Sequence, residues 1–495
     1  MHNVSEQSSQ VIHKETLSSQ LHSQEGHLAA LIDRYNKRTQ ASKANAQAYR
    51  QFLADPRQTE WFDLPTKEMC YLIVGERSQG ARVWDADGNE YIDLIMGFGA
   101  NLLGHSPPFL QEALKAQIDK GIPLGPQAEL AGEVAELISE LTGAERVAFS
   151  NTGTEAVMTA IRLARSATQR TKVAVFTHSY HGHADAVLVE ARRTGSERLS
   201  KLAGKALMTR FNSRAVPIAS GVPTTVAKDA LVLEYGNPDA LQVIHAHRHQ
   251  LAAVLVEPIQ TAQPDLQPKA FLQQLRQLTQ ASGIALIFDE MVTGFRLHLG
   301  GAQAWFGIEA DIATYGKVVG GGMPIGVIAG KAAYLDKIDG GMWRYGDDSY
   351  PAIETTFFAG THCKHPLAMA AAWATLQHLK RQGPMLQQHL NQRTSCFVEQ
   401  FNRYLETSQL PIRMANFGSF FSPVFLKDVA PATLAPLMAG FSLLRYHLCD
   451  RGILLRGEGG GFLSTAHTDE DIHCILQAMK DSIAELQEVG FFPDP

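Results

Sequence analysis

The chain has 495 residues, of which 45% are hydrophobic and 19% charged, and its formal net charge is −6. This composition is typical of a globular protein with a large core, and the acidic balance argues against nucleic acid or an anionic membrane as a partner. The five cysteines are scattered and form no CxxC pair, which favours reduced thiols over a disulfide framework or a zinc site. No stretch reaches the roughly 18 apolar residues of a membrane span, and the N-terminus lacks the apolar core of a signal peptide. We therefore predict a cytoplasmic protein.

The first hundred residues contain three distinct patterns. Residues 1–25 are rich in Ser, Gln and His, which predicts a flexible polar tail. Residues 26–54 contain few helix breakers and predict a helix with a solvated basic face. Residues 81–94 (ARVWDADGNEYIDL) predict a β-hairpin, because Asp87-Gly88-Asn89 is a turn signal between two strand-like runs.

From about residue 110 to 350, apolar strand-like runs alternate with helical segments such as 128–141 and 270–282. The runs are continuously apolar, as expected for strands buried on both faces of a parallel sheet: 146–150, 172–176, 252–258 and 284–290. The pattern predicts an α/β fold in which helices sandwich a mostly parallel central sheet.

Both ends of the chain are expected to form a second, smaller α+β domain. After about residue 385, helical segments mix with short strands near 418–425 and 461–467. We predict four parts along the chain: the tail 1–25, an N-terminal helix and small-domain segment 26–109, a large domain 110–385 and a C-terminal small-domain part 386–495.

The stretch SNTGTEAVMTAIRLARSA (150–167) places a glycine between a strand-like run and a helix. Apolar residues recur at helical spacing from Val157 to Ala164, so Asn151 to Thr154 fall at a helix N-terminus just after a strand. Free backbone N–H groups and the helix dipole make such a position an anion site, to which hydroxyl groups add donors. An ordinary capped helix would show the same pattern.

Charged residues in apolar surroundings mark two further positions. Asp289 and Glu290 end the apolar run LIFDE, at the strand end where α/β proteins bind ligands; an internal arginine or a helix cap would also satisfy a carboxylate there. Lys317 is the only charged residue between Asp311 and Lys331. A lysine in such surroundings is costly unless its amine is neutralised or used, although a lysine that snorkels beside a glycine-rich loop would look the same.

The stretch SYHGHAD (179–185) adds an aromatic ring, Tyr180, after a strand-like run. His181 and His183 have no third ligand at suitable spacing, so we predict no metal; a Tyr/His cluster satisfied within a loop is the alternative. An anion-binding helix N-terminus, a strand-end aspartate, a flat aromatic residue and a lysine in apolar surroundings are together the parts needed to hold pyridoxal 5′-phosphate (PLP).

These motifs resemble the class III aminotransferases of the fold-type I PLP enzymes, in particular the glutamate-1-semialdehyde aminomutase branch. The resemblance covers about residues 75 to 485 and implies the fold-type I architecture and a PLP cofactor. Further stretches that carry it, in family order, are VWDADGNEYIDL, LGH (103–105), YHGHAD, SGVP (220–223), VEP (256–258), FDEMVTGFR, GGAQAWFG (300–307), GKVVGGGMPIG, AGTHCKHPLAMAAA (359–372) and FLSTAHTDEDI.

The resemblance implies that Lys317 and Asp289 are the two catalytic residues. Lys317 matches the lysine that forms a Schiff base with the cofactor, and Asp289 matches the partner of the pyridinium nitrogen. Thr152, Gly153 and Thr154 match the family's phosphate-binding loop.

Three more residues are assigned to the cofactor by the same resemblance. Tyr180 matches the aromatic residue that stacks on one ring face, and Met291 stands where the family usually has a valine against the other face. Thr361, after Gly360, matches a threonine that reaches the phosphate of the neighbouring subunit. This implies a homodimer with shared active sites.

Two departures separate the chain from the aminomutases. Their GGVNSPVR-like segment, whose Ser and Arg hold the substrate, is replaced by FDLPTKEMCYLIVGERSQG (62–80). A glutamate in a FEAGF-like stretch is replaced by Gly459, with Glu458 one position away.

Segments 31–57, 67–80 and 289–296 instead resemble aminotransferase units of bacterial peptide and polyketide pathways, which aminate a β-keto acyl chain on a carrier protein, or an aldehyde or ketone. The resemblance implies ping-pong transamination from an amino-acid donor to such an acceptor in a natural-product pathway. Glutamate-1-semialdehyde 2,1-aminomutase of tetrapyrrole synthesis is the alternative function.

The sequence leaves the donor and the acceptor unidentified. Arg77, Arg82 and Arg296 are candidates for binding the donor carboxylate, and each is also suited to a structural salt bridge. A PLP-binding DNA regulator of the same fold would need an attached basic DNA-reading domain, which the short polar tail and the negative net charge do not favour.

Overall fold

The computed structural model describes residues 23–57, 62–191, 215–426, 431–457 and 459–492. Residues 1–22 of the predicted tail 1–25, and Glu458, lie outside these residues, whereas residues 23–25 begin a helix. The chain divides into two compact units, one formed by Pro108–His389 and the other by Met1–Pro107 with Leu390–Pro495. Among the described residues, none of the helices has the length and apolar character required to cross a membrane.

The unit Pro108–His389 is built on a seven-stranded sheet. In chain order its strands are β1 (Arg146–Ser150), β2 (Lys172–Phe176), β3 (Ala230–Leu233), β4 (Leu251–Val256), β5 (Ala285–Asp289), β6 (Ile312–Tyr315) and β7 (Gly326–Gly330). The order across the sheet is β1-β7-β6-β5-β4-β2-β3. Strands β2 to β6 pair in parallel, whereas β7 runs antiparallel to both β6 and β1. The predicted α/β fold with a mostly parallel sheet is confirmed.

The buried strands follow the prediction, with one exception. Every residue of β4, β5 and β6 is buried, as continuous apolar runs predict. The prediction for 146–150 as a strand buried on both faces of a parallel sheet is wrong. This run is β1, an edge strand that pairs only with the antiparallel β7, and its first three residues are half-buried because it has a single neighbour.

Helices accompany this sheet, and one begins directly after β1. The apolar stripe of the helix Gly153–Thr168 packs in the same core cluster as Val175, Leu255 and Ile287 from the sheet, so the helical spacing read from the sequence is confirmed. The other helices of the unit are Pro108–Lys120, Ala131–Thr142, Thr224–Ala227, Pro238–Ala246, Lys269–Ser282, Gly301–Phe306, Ala332–Asp339 and Pro366–Gln382. A two-stranded ribbon joins Val189–Ala191 to Ala215–Pro217.

The other unit combines strands from both ends of the chain. A four-stranded sheet has the order Gly75–Gln79, Arg82–Asp85, Glu90–Asp93 and Ile453–Leu454. The last pair is parallel and joins residues that are far apart in sequence. A three-stranded sheet contains Ile412–Phe417, Phe420–Phe425 and Gly461–Phe462.

The predicted hairpin and the predicted N-terminal helix both lie in this unit. Asp85 holds the hairpin turn, because its Oδ1 accepts the Asp87 and Asn89 N–H groups at 3.0 and 2.8 Å. The single helix expected over 26–54 is instead two helices, 23–38 and Gln40–Tyr49. The C-terminal part of the chain adds helices Met385–Thr407, Pro431–Asp450 and Asp469–Glu488.

Acid is expected to destabilise the fold through His467. Its ring is buried, Nδ1 accepts the Ser464 N–H at 3.0 Å, and burial lowers its pKa to about 4. Between about pH 6.5 and pH 4, His467 binds a proton in the unfolded chain but not in the folded chain. The free energy of unfolding therefore falls by about 2 kcal/mol as pH falls through this range. Urea unfolding at about pH 7 and about pH 4.5 measures this loss. The loss should be smaller in His467→Gln, and an equal loss in both proteins would contradict the assignment.

Candidate functional site

Polar side chains gather where neighbouring parallel strands end. In the register of the sheet, Val256 of β4 pairs with Phe288 of β5, so Glu257 and Asp289 end adjacent strands side by side. Asp289 in turn pairs with Thr314 of β6, and Lys317 follows β6 after the single residue Gly316. The carboxyl ends of parallel strands are where open α/β sheets bind ligands.

Asp289 is almost completely buried, with 4% of its surface exposed. Its Oδ2 lies 2.8 Å from His181 Nδ1, and its Oδ1 accepts the Met291 N–H at 3.2 Å. The Thr314 hydroxyl lies 3.4 Å from the same oxygen. Because the carboxylate only accepts hydrogen bonds, His181 carries its proton on Nδ1. These donors surround the buried carboxyl group of Asp289 and compensate for the water that it loses on burial.

Lys317 begins a tight turn of glycine-rich backbone. It opens the short 3₁₀ helix Lys317–Gly320 and has a φ of +44°, a left-handed conformation that is uncommon for a residue with a side chain and often occurs at functional sites. Its positive charge lowers the pKa of the buried Glu257 carboxyl group. The lysine therefore lies within electrostatic reach of the strand-end carboxylates.

The helix Gly153–Thr168 presents its N-terminus at the carboxyl end of β1. Thr152 is the N-cap, and its Oγ1 accepts the Glu155 N–H at 3.2 Å. The Glu155 carboxylate accepts the Asn151 N–H at 2.7 Å. Gly153 is the first helical residue, so the free first-turn amides of a 16-residue helix are available to an anion.

Met291 packs closely against this helix start and against the turn before Lys317. A side chain at Gly153 would lie 2.7 Å from the Met291 sulfur, and one at Gly316 would lie 2.8 Å from it. A larger residue at either position would displace the Met291 side chain, so the two glycines make room for it. The close packing places Met291 between the predicted phosphate-binding loop and the predicted catalytic lysine.

Tyr180 and Thr154 belong to the same neighbourhood. The Tyr180 N–H donates to Glu257 Oε2 at 2.9 Å, while its ring is 65% exposed. Thr154 Oγ1 accepts the His183 N–H at 3.4 Å. The segment that carries Tyr180 is thus connected both to the strand ends and to the helix N-terminus.

Thr361 is exposed in a loop of the same unit. A side chain at its neighbour Gly360 would lie 3.3 Å from the Asn151 amide nitrogen, so the loop passes beside the predicted anion site of its own chain. A contact of Thr361 with a neighbouring subunit stays a prediction.

Glu257 and the partnership of His181 with Asp289 were not anticipated from the sequence. The pKa of Glu257 is raised to about 7, mainly by burial. The charge of His181 opposes this increase, whereas the charge of Asp289 adds to it. The signal was present, because Glu257 ends a continuous apolar run as Asp289 does.

Three buried polar atoms near these strand ends have no hydrogen-bond partner within the described part of the chain: His181 Nε2, Asn151 Oδ1 and Gln260 Oε1. Unsatisfied buried groups of this kind are rare unless a ligand or water completes them. With an anion-binding helix start, a buried aspartate and a lysine, they fit a small, flat, phosphorylated ligand such as PLP.

Glu290, the second strand-end carboxylate, has a structural role. Its two oxygens accept the Ala302 and Gln303 N–H groups at 2.7 and 2.9 Å, and Thr293 donates its hydroxyl at 2.6 Å. Glu290 thus caps the helix Gly301–Phe306, one of the alternatives left open by the sequence.

Removal of the Glu290 carboxylate is expected to destabilise the protein. Glu290→Ala leaves the buried Ala302 N–H and the half-buried Gln303 N–H without an acceptor, which should cost about 3 kcal/mol. Denaturant unfolding measures this loss, and Glu309→Ala, at an exposed site in the same region, should change stability by less than about 0.5 kcal/mol. Equal effects of the two substitutions would contradict the capping role.

The three candidate arginines differ in their surroundings. Arg77 lies over the Trp84 ring at 3.7 Å. Arg82 pairs with Glu90 at 2.8 Å and with Asp471 at 2.5 Å. Arg296 is fully buried, and burial lowers its pKa to about 9. Arg82 thus forms structural salt bridges, the alternative that the sequence left open for it.

Known proteins are similar to this chain over most of its length. Residues 64–483 match the family described as aminotransferase class-III. The chain is 36% identical over 420 residues to a glutamate-1-semialdehyde 2,1-aminomutase of Alkaliphilus oremlandii, with 83% of this chain and 91% of that protein covered. A protein of the same name from Chloroflexus aurantiacus is 37% identical over 428 residues, with 84% and 90% covered.

Solved transaminase structures have a fold similar to that of this chain. An omega-transaminase from Sphaerobacter thermophilus matches with a TM-score of 0.78 and 27% identity, over 90% of this chain and 98% of that one. A β-phenylalanine aminotransferase from Variovorax paradoxus matches with a TM-score of 0.74 and 28% identity, over 93% and 97%.

Proposed function

Because the chain belongs to the class III aminotransferase family, we propose that it moves an amino group from an amino-acid donor to an aldehyde or keto intermediate of a natural-product pathway. The protein is a PLP-dependent aminotransferase. The acceptor is a separate carbonyl compound, which includes a β-keto acyl chain on an acyl carrier protein. The reaction then proceeds in two halves, in the cytoplasm, with the donor product leaving before the acceptor enters.

The observation that carries the proposal is the loss of both aminomutase substrate contacts. The segment 62–80 has no GGVNSPVR-like motif. Gly459, at the place of the aminomutase glutamate, has a φ of +79°, and a side chain there would lie 3.2 Å from Pro423. A glutamate at this position would be strained, so the backbone is adapted to glycine.

The residues at the strand ends have matching roles in this proposal. PLP supplies an aldehyde that bonds to amines and a ring that accepts electrons. Lys317 would hold the cofactor covalently and, once displaced by the donor, take the proton from the donor's α-carbon. Asp289, which accepts hydrogen bonds from His181 and Met291, would pair with the protonated ring nitrogen.

The remaining predicted residues would hold the cofactor in place. Thr152, Gly153 and Thr154 would bind its phosphate at the helix N-terminus. Tyr180 and Met291 would cover the two faces of its ring. The bond from the Tyr180 N–H to Glu257 and the packing of Met291 against Gly153 and Gly316 support these roles.

We also propose a homodimer with shared active sites. The segment before Thr361 exposes large apolar side chains, among them Met342, Tyr345 and Phe357, which are 79%, 91% and 80% exposed. Clustered exposure of this kind marks an interaction surface, and a second copy of the chain would cover it. Light scattering after size-exclusion chromatography tests the assembly, and a monomer at micromolar concentration would rule it out.

A specific observation favours the alternative function. The curated relatives described above are named glutamate-1-semialdehyde 2,1-aminomutase and cover more than four fifths of the chain. An aminomutase moves the amino group within one molecule and needs no external acceptor, so the two functions differ in what they require.

Substrate assays with the purified, PLP-loaded enzyme separate the two functions. We expect transfer of amino groups from common amino acids to free and carrier-bound keto or aldehyde acceptors. We also expect no turnover of glutamate-1-semialdehyde supplied alone. Isomerisation of glutamate-1-semialdehyde without transfer to any external carbonyl would replace the proposal by the alternative.

A further inference from the structure

The loop that carries Tyr180, residues 177–184, has no regular secondary structure. Two of its residues adopt left-handed backbone conformations, His178 with a φ of +65° and Gly182 with a φ of +81°. Since such a loop lacks the hydrogen bonds of a helix or strand, its conformation depends on bonds to neighbouring elements.

Two strand-end carboxylates hold this Tyr180 loop. Glu257 accepts the Tyr180 N–H at 2.9 Å, and Asp289 accepts His181 Nδ1–H at 2.8 Å. The two carboxylates end adjacent strands in register. Asp289 is already assigned to the cofactor, whereas nothing in the proposed reaction uses Glu257.

The charge of Glu257 depends on pH and on the charged groups around it. The pKa of Glu257 is lowered by the charges of His181 and Lys317 and raised by that of Asp289. The charge of Glu257 in turn raises the pKa of the buried Tyr235 phenol. Burial is the largest influence and raises the pKa of Glu257 to about 7. Its carboxyl group therefore changes protonation in the neutral range, where a hydrogen bond to a carboxylate is replaced by a weaker one to a neutral acid.

We infer that Glu257 is a positioning residue of the cofactor site, which fixes the Tyr180 ring through the backbone of the Tyr180 loop and releases it partly on taking up a proton. The inference deepens the proposed function, because it assumes that Tyr180 covers the bound cofactor. Glu257 touches the loop backbone and acts through Tyr180. Cofactor affinity should accordingly be higher when Glu257 is charged.

The test measures binding of PLP to the cofactor-free full-length chain by quenching of intrinsic fluorescence. Glu257→Gln keeps the reach and the acceptor but not the charge, so it should bind PLP about fivefold more weakly than the natural chain at about pH 8. The difference between the two proteins should vanish at about pH 6. Glu257→Asp keeps the charge but shortens the reach, and it should bind more weakly than the natural chain at both pH values.

A double-mutant cycle distinguishes positioning from a direct effect of charge. In a Tyr180→Ala background, Glu257→Gln should no longer change PLP affinity at about pH 8. Additive effects, or a Glu257→Gln protein that matches the natural chain at both pH values, would overturn the inference. Failure of the natural chain to bind PLP would instead refute the cofactor assignment of the proposed function. If the cofactor-free proteins have equal melting temperatures, misfolding is excluded as the cause of weaker PLP binding. A Glu257→Gln protein that melts at a lower temperature but binds PLP as tightly as the natural chain also contradicts the positioning role.

Discussion

Lys317→Ala is expected to abolish transamination and the visible absorbance of the bound cofactor. The amine at position 317 is the group that we assign both to the covalent link with PLP and to proton transfer, so no neighbouring side chain can replace it. The loss should exceed about a thousandfold in kcat. Absorbance spectra of the purified protein and single-turnover assays with an amino donor measure the two effects.

Lys331→Ala is a matched control for this substitution. Lys331 lies in the same unit, but its amine pairs with Asp311 at 2.8 Å and is partly exposed, so the control should keep both absorbance and activity. Borohydride reduction followed by peptide mapping locates the covalent link directly. A label on another lysine, or a visible band that persists in Lys317→Ala, would remove Lys317 from its assigned role.

The residues that sequence reasoning selects as catalytic are those whose local surroundings are anomalous. Lys317 and Asp289 are charges placed in or at the end of apolar runs, and the cost of burying a charge makes such positions informative without a structure. The helix after β1 was equally visible, because its apolar stripe and the preceding glycine are local features. The fold class followed from the alternation of such segments.

What the sequence did not provide is the relation between segments. Glu257 ends an apolar run as Asp289 does, yet its importance depends on the pairing of Val256 with Phe288, which no local pattern encodes. The antiparallel direction of β7, and hence the edge position of β1, is likewise decided by tertiary pairing. The break at Thr39 is a smaller case, in which the backbone leaves the helical conformation with a φ of −123° and a ψ of 43° while the side-chain hydroxyl donates to the Tyr35 carbonyl.

Asp289→Asn is expected to leave PLP bound but to lower kcat by about a hundred- to a thousandfold. The substitution keeps the shape and one acceptor oxygen, so it can still receive the His181 Nδ1–H at the position where Asp289 receives it at 2.8 Å. It removes the charge that would keep the ring nitrogen protonated, and an electrostatic contribution of this kind in a buried site has that magnitude. Steady-state kinetics and PLP titration of the cofactor-free chain separate the loss of rate from a loss of binding.

Glu290→Gln is the matched control for Asp289→Asn, because the two carboxylates are neighbours in sequence and point to different partners. Glu290 bonds to the helix Gly301–Phe306, so its neutral variant should lose stability while its kcat changes by less than a few fold. His181→Asn should fall between the two, since His181 holds Asp289 through a hydrogen bond at 2.8 Å. If Asp289→Asn retained more than a tenth of the natural kcat, the charge at the end of β5 would not be what drives the chemistry, and Glu257, the adjacent carboxyl group, would be the next candidate for that role.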